Sequence, residues 1–125
     1  IKCLVSATRG EGYGLPLIEA SASGLPIIAT NWSGHLDFLK PGSFLPVDYE
    51  LKEIQETRLD NRIFFKGFKW AEPDSNSFKK CLHDVINNYD LYKNKSESNK
   101  EYIRSNFSKS KITNIYKDLI TEVLR

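Results

Sequence analysis

The sequence has 125 residues and a mass of 14.4 kDa, the size of one domain. Its 40% apolar and 27% charged residues can build one packed core, which excludes a wholly disordered chain. The net charge of +2 excludes a nucleic-acid footprint, and no apolar run approaches the ~20 residues of a membrane helix.

Residues 2–8 form a short β-rich run, broken by Arg9-Gly10-Glu11-Gly12-Tyr13-Gly14. Leu15-Pro16 opens a helix, since Pro in the first turn loses no hydrogen bond. Leu15, Ile18 and Ala22 keep helical spacing up to Gly24, a C-terminal stop. Pro26–Thr30 reads as a fully buried strand, so the first thirty residues predict a βαβ unit with a parallel sheet. Asn31-Trp32-Ser33-Gly34 is a second turn at a strand end, followed by a short helical stretch to Leu39. Ser43–Tyr49 and Asn61–Trp70 are two further β-like runs, joined by a polar segment without period. Asp74 or Ser75 caps a helix with Phe78, Leu82, Val85 and Ile86 on its apolar face. Residues 93–100 read as a polar break or a frayed helix start. Ser108 caps a last amphipathic helix carrying Ile112, Ile115, Tyr116, Leu119, Ile120 and Val123.

The layout predicts an α/β fold, the second half of a Rossmann-like doubly wound parallel sheet with a helical C-terminal tail. The absence of Met and a strand-like start at Ile1 suggest part of a longer chain, with residues 1–125 one partial domain. No signal-peptide pattern is visible, and two unpaired-looking thiols, Cys3 and Cys81, suit a reducing cytosol, so the expected setting is cytoplasmic or peripheral at a membrane. Residues 76–125 carry ten Lys/Arg against six Asp/Glu, interleaved as on a solvated helix face; attraction to an anionic membrane is the second reading. Cys3 and Cys81 lie far apart, without His at ligand spacing, so neither a metal site nor a thiol nucleophile is expected.

The chemistry concentrates in residues 9–37. In open parallel sheets, ligands bind beyond the carboxyl ends of strands, where loops meet helix N-termini. The helix start near Leu15 offers free N–H groups and a positive dipole end to an anion. Gly12 and Gly14 allow close approach to the backbone. Glu11 lies in the loop and Glu19 one turn inside the helix, so both can face the same crevice. A carboxylate can take two O–H donors from a vicinal diol, and two of them beside a helix N-terminus suit a nucleotide sugar. On the residues alone, the plainer reading is the favoured one: Glu19 a helix-surface residue and Glu11 a loop residue.

The string Glu11–Ala20, followed by Ser23-Gly24-Leu25-Pro26-Ile27-Ile28-Ala29-Thr30, closely resembles the E-x7-E signature of retaining GT-B glycosyltransferases of the group 1 type (family 4). Ser33, Gly34 and Asp37 lie in a segment similar to the family's next turn, which often has two glycines; only Gly34 and Asp37 match. Phe44–Tyr49 and Trp70–Asp74 resemble one subgroup, and also read as strand packing and a helix cap. The resemblance implies a donor-binding domain, with Glu11 as the catalytic-position residue meeting the donor sugar. It implies donor contacts at Gly12, Tyr13, Gly14, Leu15, Glu19, Ser33 and Gly34, with Glu19 on the ribose diol. It implies no metal and no cofactor beyond the nucleoside diphosphate sugar, and pyrophosphate-binding bases upstream of this sequence. Arg9 reads as a loop-surface residue. A carbohydrate or lipid-linked acceptor would be met through an N-terminal domain, and the chain alone would self-associate. A nucleotide-sugar epimerase or phosphorylase-like enzyme on the same fold, or a non-catalytic sugar-nucleotide binding module, are the alternatives.

Overall fold

The computed structural model describes residues 2–125. Strands β1 (Leu4–Ser6), β2 (Ile27–Thr30) and β3 (Leu45–Val47) form a parallel sheet in the order β1-β2-β3. Val5 lies opposite Ile28, and Ala29 opposite Pro46. Helix α1 (Leu15–Ala22) makes the crossover from β1 to β2. Strands β4 (Tyr49–Glu53) and β5 (Lys69–Pro73) pair antiparallel as a separate two-stranded ribbon. Helices α2 (Ser75–Asn87), α3 (Tyr89–Asn106) and α4 (Lys109–Val123) follow. The expected βαβ unit, parallel sheet and helical tail are all present.

Strand β2 is buried along its whole length because both faces of the sheet are covered. Ile27 and Ala29 point to one side, where Leu17, Ala20, Phe38, Leu39, Phe44 and Ile103 pack. Ile28 points to the other, against Leu45, Val47, Cys81 and Val85. The period of two along β2 thus divides the core into an α1/α3 layer and an α2 layer, as in a doubly wound sheet. Both thiols are free, and burial pushes each of them above the ordinary cysteine value.

Helix α1 ends in a Schellman motif: Leu25 N–H donates to Ala20 C=O and Gly24 N–H to Ser21 C=O. Gly24 has φ 69°, the left-handed conformation that stop requires. The Asp74 carboxylate caps α2 by accepting Ser77 N–H at 2.6 Å, and Ser108 caps α4 by accepting Lys111 N–H at 3.3 Å.

Four expectations need correction. The run Ser43–Tyr49 is two elements: β3 joins the parallel sheet, and β4 starts at Tyr49 and leaves it. In the run Asn61–Trp70, residues 61–68 are turns and the strand begins at Lys69. The Asp60 carboxylate captures the N–H groups of Arg62, Ile63 and Phe64, while Asn61 and Gly67 take positive φ, so no ladder can form there. The stretch to Leu39 is only a 3-10 turn, Gly34–Asp37.

The fourth correction concerns residues 93–100, which are no break but the middle of α3. Buried Ser96 satisfies its hydroxyl on Tyr92 C=O, and Lys93 and Lys100 both pair with Glu97. Helical i,i+3 and i,i+4 pairing offsets the polar composition.

Candidate functional site: two strand-end loops at the start of helix α1

The loops after β1 and β2 meet at the carboxyl end of the sheet. Ser33 joins them. Its hydroxyl accepts Glu11 N–H at 2.9 Å and donates to Glu11 C=O at 2.6 Å, and Gly34 N–H donates to the same carbonyl at 3.1 Å. Ser33 stands at φ 93°, ψ −171°, a region that glycine alone occupies freely, so these bonds hold a strained residue in place. Gly34 lies so close that a Cβ there would fall 2.0 Å from Gly12 C=O; only glycine fits without moving the loop.

Gly14 precedes α1 at φ 87°, and no side chain caps the helix there. Pro16 has no N–H and Leu17 N–H donates to Gly14 C=O, so the Gly14 and Leu15 N–H groups and the positive dipole end are what stay open to a ligand oxygen. A Cβ at Gly14 would lie 3.1 Å from His35 Cβ and 3.3 Å from Glu11 Cγ, which places His35 and Glu11 directly against the helix start. His35 is fully buried and its Nε2–H donates to Thr30 C=O at 2.7 Å, so it ties the second loop to the end of β2. Tyr13 stacks at a tilt on Phe38, with 5.4 Å between ring centroids.

The expected site residues fall into two groups. Glu11, Gly12, Tyr13, Gly14, Leu15, Ser33 and Gly34 are gathered in this joined pair of loops, with Leu15 exposed on the first turn of α1. Glu19 sits further along α1, exposed, on the next turn. Glu11 is half-buried against Gly14. The Ser33 hydroxyl is committed to the backbone of Glu11 and holds the loop in shape.

Residue-by-residue reading missed this clamp. The only signal for it is a Ser beside a Gly at a strand end. Arg9 is a surface residue, as expected, but a tethered one. Its guanidinium makes a forked pair with the Glu72 carboxylate at 2.5 and 2.7 Å and lies 4.8 Å from the Trp70 ring centre. That bond holds the Glu72 carboxyl below its usual value. Ala71 N–H also donates to Arg9 C=O, so the first loop is fastened to the β4–β5 ribbon. Between them lies a cleft of about 580 Å³ lined by Thr8, Gly10, Trp32, Phe64, Phe68 and Trp70, among others. Among the described residues no three His, Cys, Asp or Glu side chains group as a metal site.

A half-sheet of parallel strands, with an uncapped helix start at its carboxyl end, is the arrangement of a Rossmann-like half-domain. Residues 1–50, which contain β1, α1, β2, β3 and both loops, match the family model described as glycosyl transferases group 1. That match is consistent with a group 1 glycosyltransferase domain of GT-B type and supports glycosyltransferase activity in general. No curated protein and no solved structure matches the chain.

Proposed function

We propose that the chain is part of the donor-binding half of a retaining glycosyltransferase, which moves a sugar from a nucleoside diphosphate to an acceptor hydroxyl. The observation that carries this reading is the uncapped start of α1 behind Gly14, with Glu11 packed beside it. The donor's pyrophosphate lies toward that helix end, where the dipole and free N–H groups favour anionic oxygens. Backbone N–H groups from Tyr13 to Leu15 and the Glu11 carboxylate meet the sugar, and Glu19 takes the ribose diol. Bases upstream of this sequence share the pyrophosphate charge, and no metal is required.

Transfer builds charge on the departing phosphate oxygen. Donors fixed in advance stabilise it best, because they need no reorganisation as the bond breaks. The Ser33–Gly34 clamp supplies that fixity by anchoring the Glu11 peptide on both sides. A second domain closing over the donor would exclude water and bring the carbohydrate or lipid-linked acceptor. The setting is cytoplasmic or peripheral at a membrane.

Glu19→Ala in the complete protein tests the reading by calorimetric titration with nucleoside diphosphates. The expected result is a loss of about 1–3 kcal/mol in affinity, the range for hydrogen bonds to a charged acceptor. Unchanged affinity would remove Glu19 from the donor site.

A further inference from the structure

We propose that the tip of the β4–β5 ribbon, residues 58–69, docks on an anionic lipid surface. The tip presents Ile63, Phe65 and Phe68 at 69%, 41% and 53% exposure, with Phe64 beside them. Phe65 and Phe68 stack edge to face at 5.5 Å, and Phe64 packs likewise on Trp70 at 6.2 Å. These apolar rings therefore form one patch carried at the end of an arm. Ile63, Phe64 and Phe68 also line the cleft beside Trp70, which shelters only part of each and leaves the rest, with Phe65, in solvent.

The patch is a built surface, not a slack loop. The Asp60 carboxylate accepts three backbone N–H groups, each at 2.9 Å. Phe68 N–H donates to Phe65 C=O across the turn at Gly67. The N–H groups of residues 58–64 and of Phe68 are thus paired, whereas those of Phe65, Lys66 and Gly67 have no protein partner and must stay at the polar head-group level.

Charge selects the occupant. Residues 58–69 carry Arg58, Arg62, Lys66 and Lys69 against a single acid, Asp60, whose carboxylate is engaged inside the turn. Among the described residues Arg58 and Arg62 make no ion pair; Lys66 reaches Glu56 only at 3.7 Å, and Lys69 faces Glu53 across the ribbon. The ribbon's other acids are neutralised, Glu50 by Lys52 and Glu72 by Arg9. Aromatic rings interleaved with free cations suit a layer that is apolar below and negative above. An apolar protein partner would cover the rings and leave Arg58 and Arg62 desolvated without counter-charge. The Arg9–Glu72 fork fastens this arm to the loop bearing Glu11, so docking brings that loop to the lipid surface.

Vesicle flotation of the complete protein tests this, using phosphatidylcholine vesicles with and without phosphatidylglycerol. The wild type should float with the anionic vesicles, and added salt should release it. Phe65→Ser with Phe68→Ser should weaken partitioning about tenfold or more, given the transfer energy of a buried aromatic ring. Phe65→Leu should keep binding. Arg58→Ala with Arg62→Ala should weaken it about fivefold per charge, and these exposed changes serve even if the aromatic variant misfolds. Equal flotation with neutral vesicles, or variants that float like the wild type, would overturn the proposal. So would a wild type that ignores vesicles but forms a dimer dissolved by Phe65→Ser, which would make a second copy the occupant.

Discussion

Ser33 carries a contradiction in its backbone: it holds a conformation suited to glycine, yet its side chain makes the two bonds that fasten Glu11. Ser33→Ala keeps the strain and removes both bonds, and should cost about 1–3 kcal/mol in urea unfolding. Ser33→Gly relieves the strain while losing the same bonds, so it should be the less destabilised of the two. If alanine were as stable as glycine there, the backbone would hold no strain; if alanine were as stable as serine, the clamp would contribute nothing. Gly34→Ala should be worse for function than either, because the new methyl group pushes Gly12 and its carbonyl out of the loop. Its expected signature is lost nucleotide binding, together with about 1–3 kcal/mol of overpacking cost. Glu11→Gln should lower transfer while leaving nucleoside diphosphate affinity nearly intact. Equal loss of both would move Glu11 to the nucleotide side.

At the scale of elements, the packing of α3 on the end of α1 depends on a small charge cluster. Lys93 Nζ donates to Gly24 C=O at 2.5 Å and to Glu97 at 2.6 Å, and Lys100 donates to Glu97 at 2.9 Å. These two lysines hold the Glu97 carboxyl down from its ordinary 4.5 to about 2. Because the folded value is the lower one, the contribution is complete above about pH 4.5 and fades as pH falls toward about 2. Glu97→Gln should therefore flatten the acid limb of the stability–pH curve in that window; an unchanged curve would contradict the pairing. Gly24→Ala should cost about 1–2 kcal/mol through its left-handed φ alone, and a Cβ would also meet the Glu97 carboxylate at 2.7 Å.

The same elements show what a linear reading can and cannot recover. β1, α1 and β2 were legible because their apolar spacing, glycine stop and buried run are local signals. The helix cap at Asp74 was legible for the same reason. The middle of α3 was not, because Lys93, Glu97 and Lys100 are polar in composition and helical only through their mutual pairing. Residues 61–68 read as strand from their aromatic content, while one Asp60 carboxylate diverts their backbone into turns. The site itself was half legible. Glu11 and the glycine loop stand out in sequence, whereas the bonds from Ser33 cross 22 positions and appear only once β1 and β2 lie side by side.

For the whole molecule, two surfaces lack partners among the described residues. β1 ends the sheet order with one edge unpaired, and α4 buries none of its residues. An open strand edge is a template for pairing with another chain. The 125-residue chain expressed alone should therefore dimerise or aggregate, as light scattering after size exclusion would show, and a stable monomer would contradict the edge argument. Alone it should also transfer no sugar, because one wall of the cleft does not make a closed site. No helix is long and apolar enough to cross a membrane, so a lipid surface would be met by the ribbon tip rather than by a span. The central claim is that the joined loops at the start of α1 hold a donor sugar for transfer. It is tested most directly by giving the complete protein a panel of nucleoside diphosphate sugars with acceptors, and following the anomeric proton by NMR in wild type and Glu11→Gln. The account predicts one donor consumed, a glycoside with the donor's own anomeric configuration, and a much slower reaction in Glu11→Gln. An inverted product, or transfer unaffected by Glu11→Gln, would contradict it.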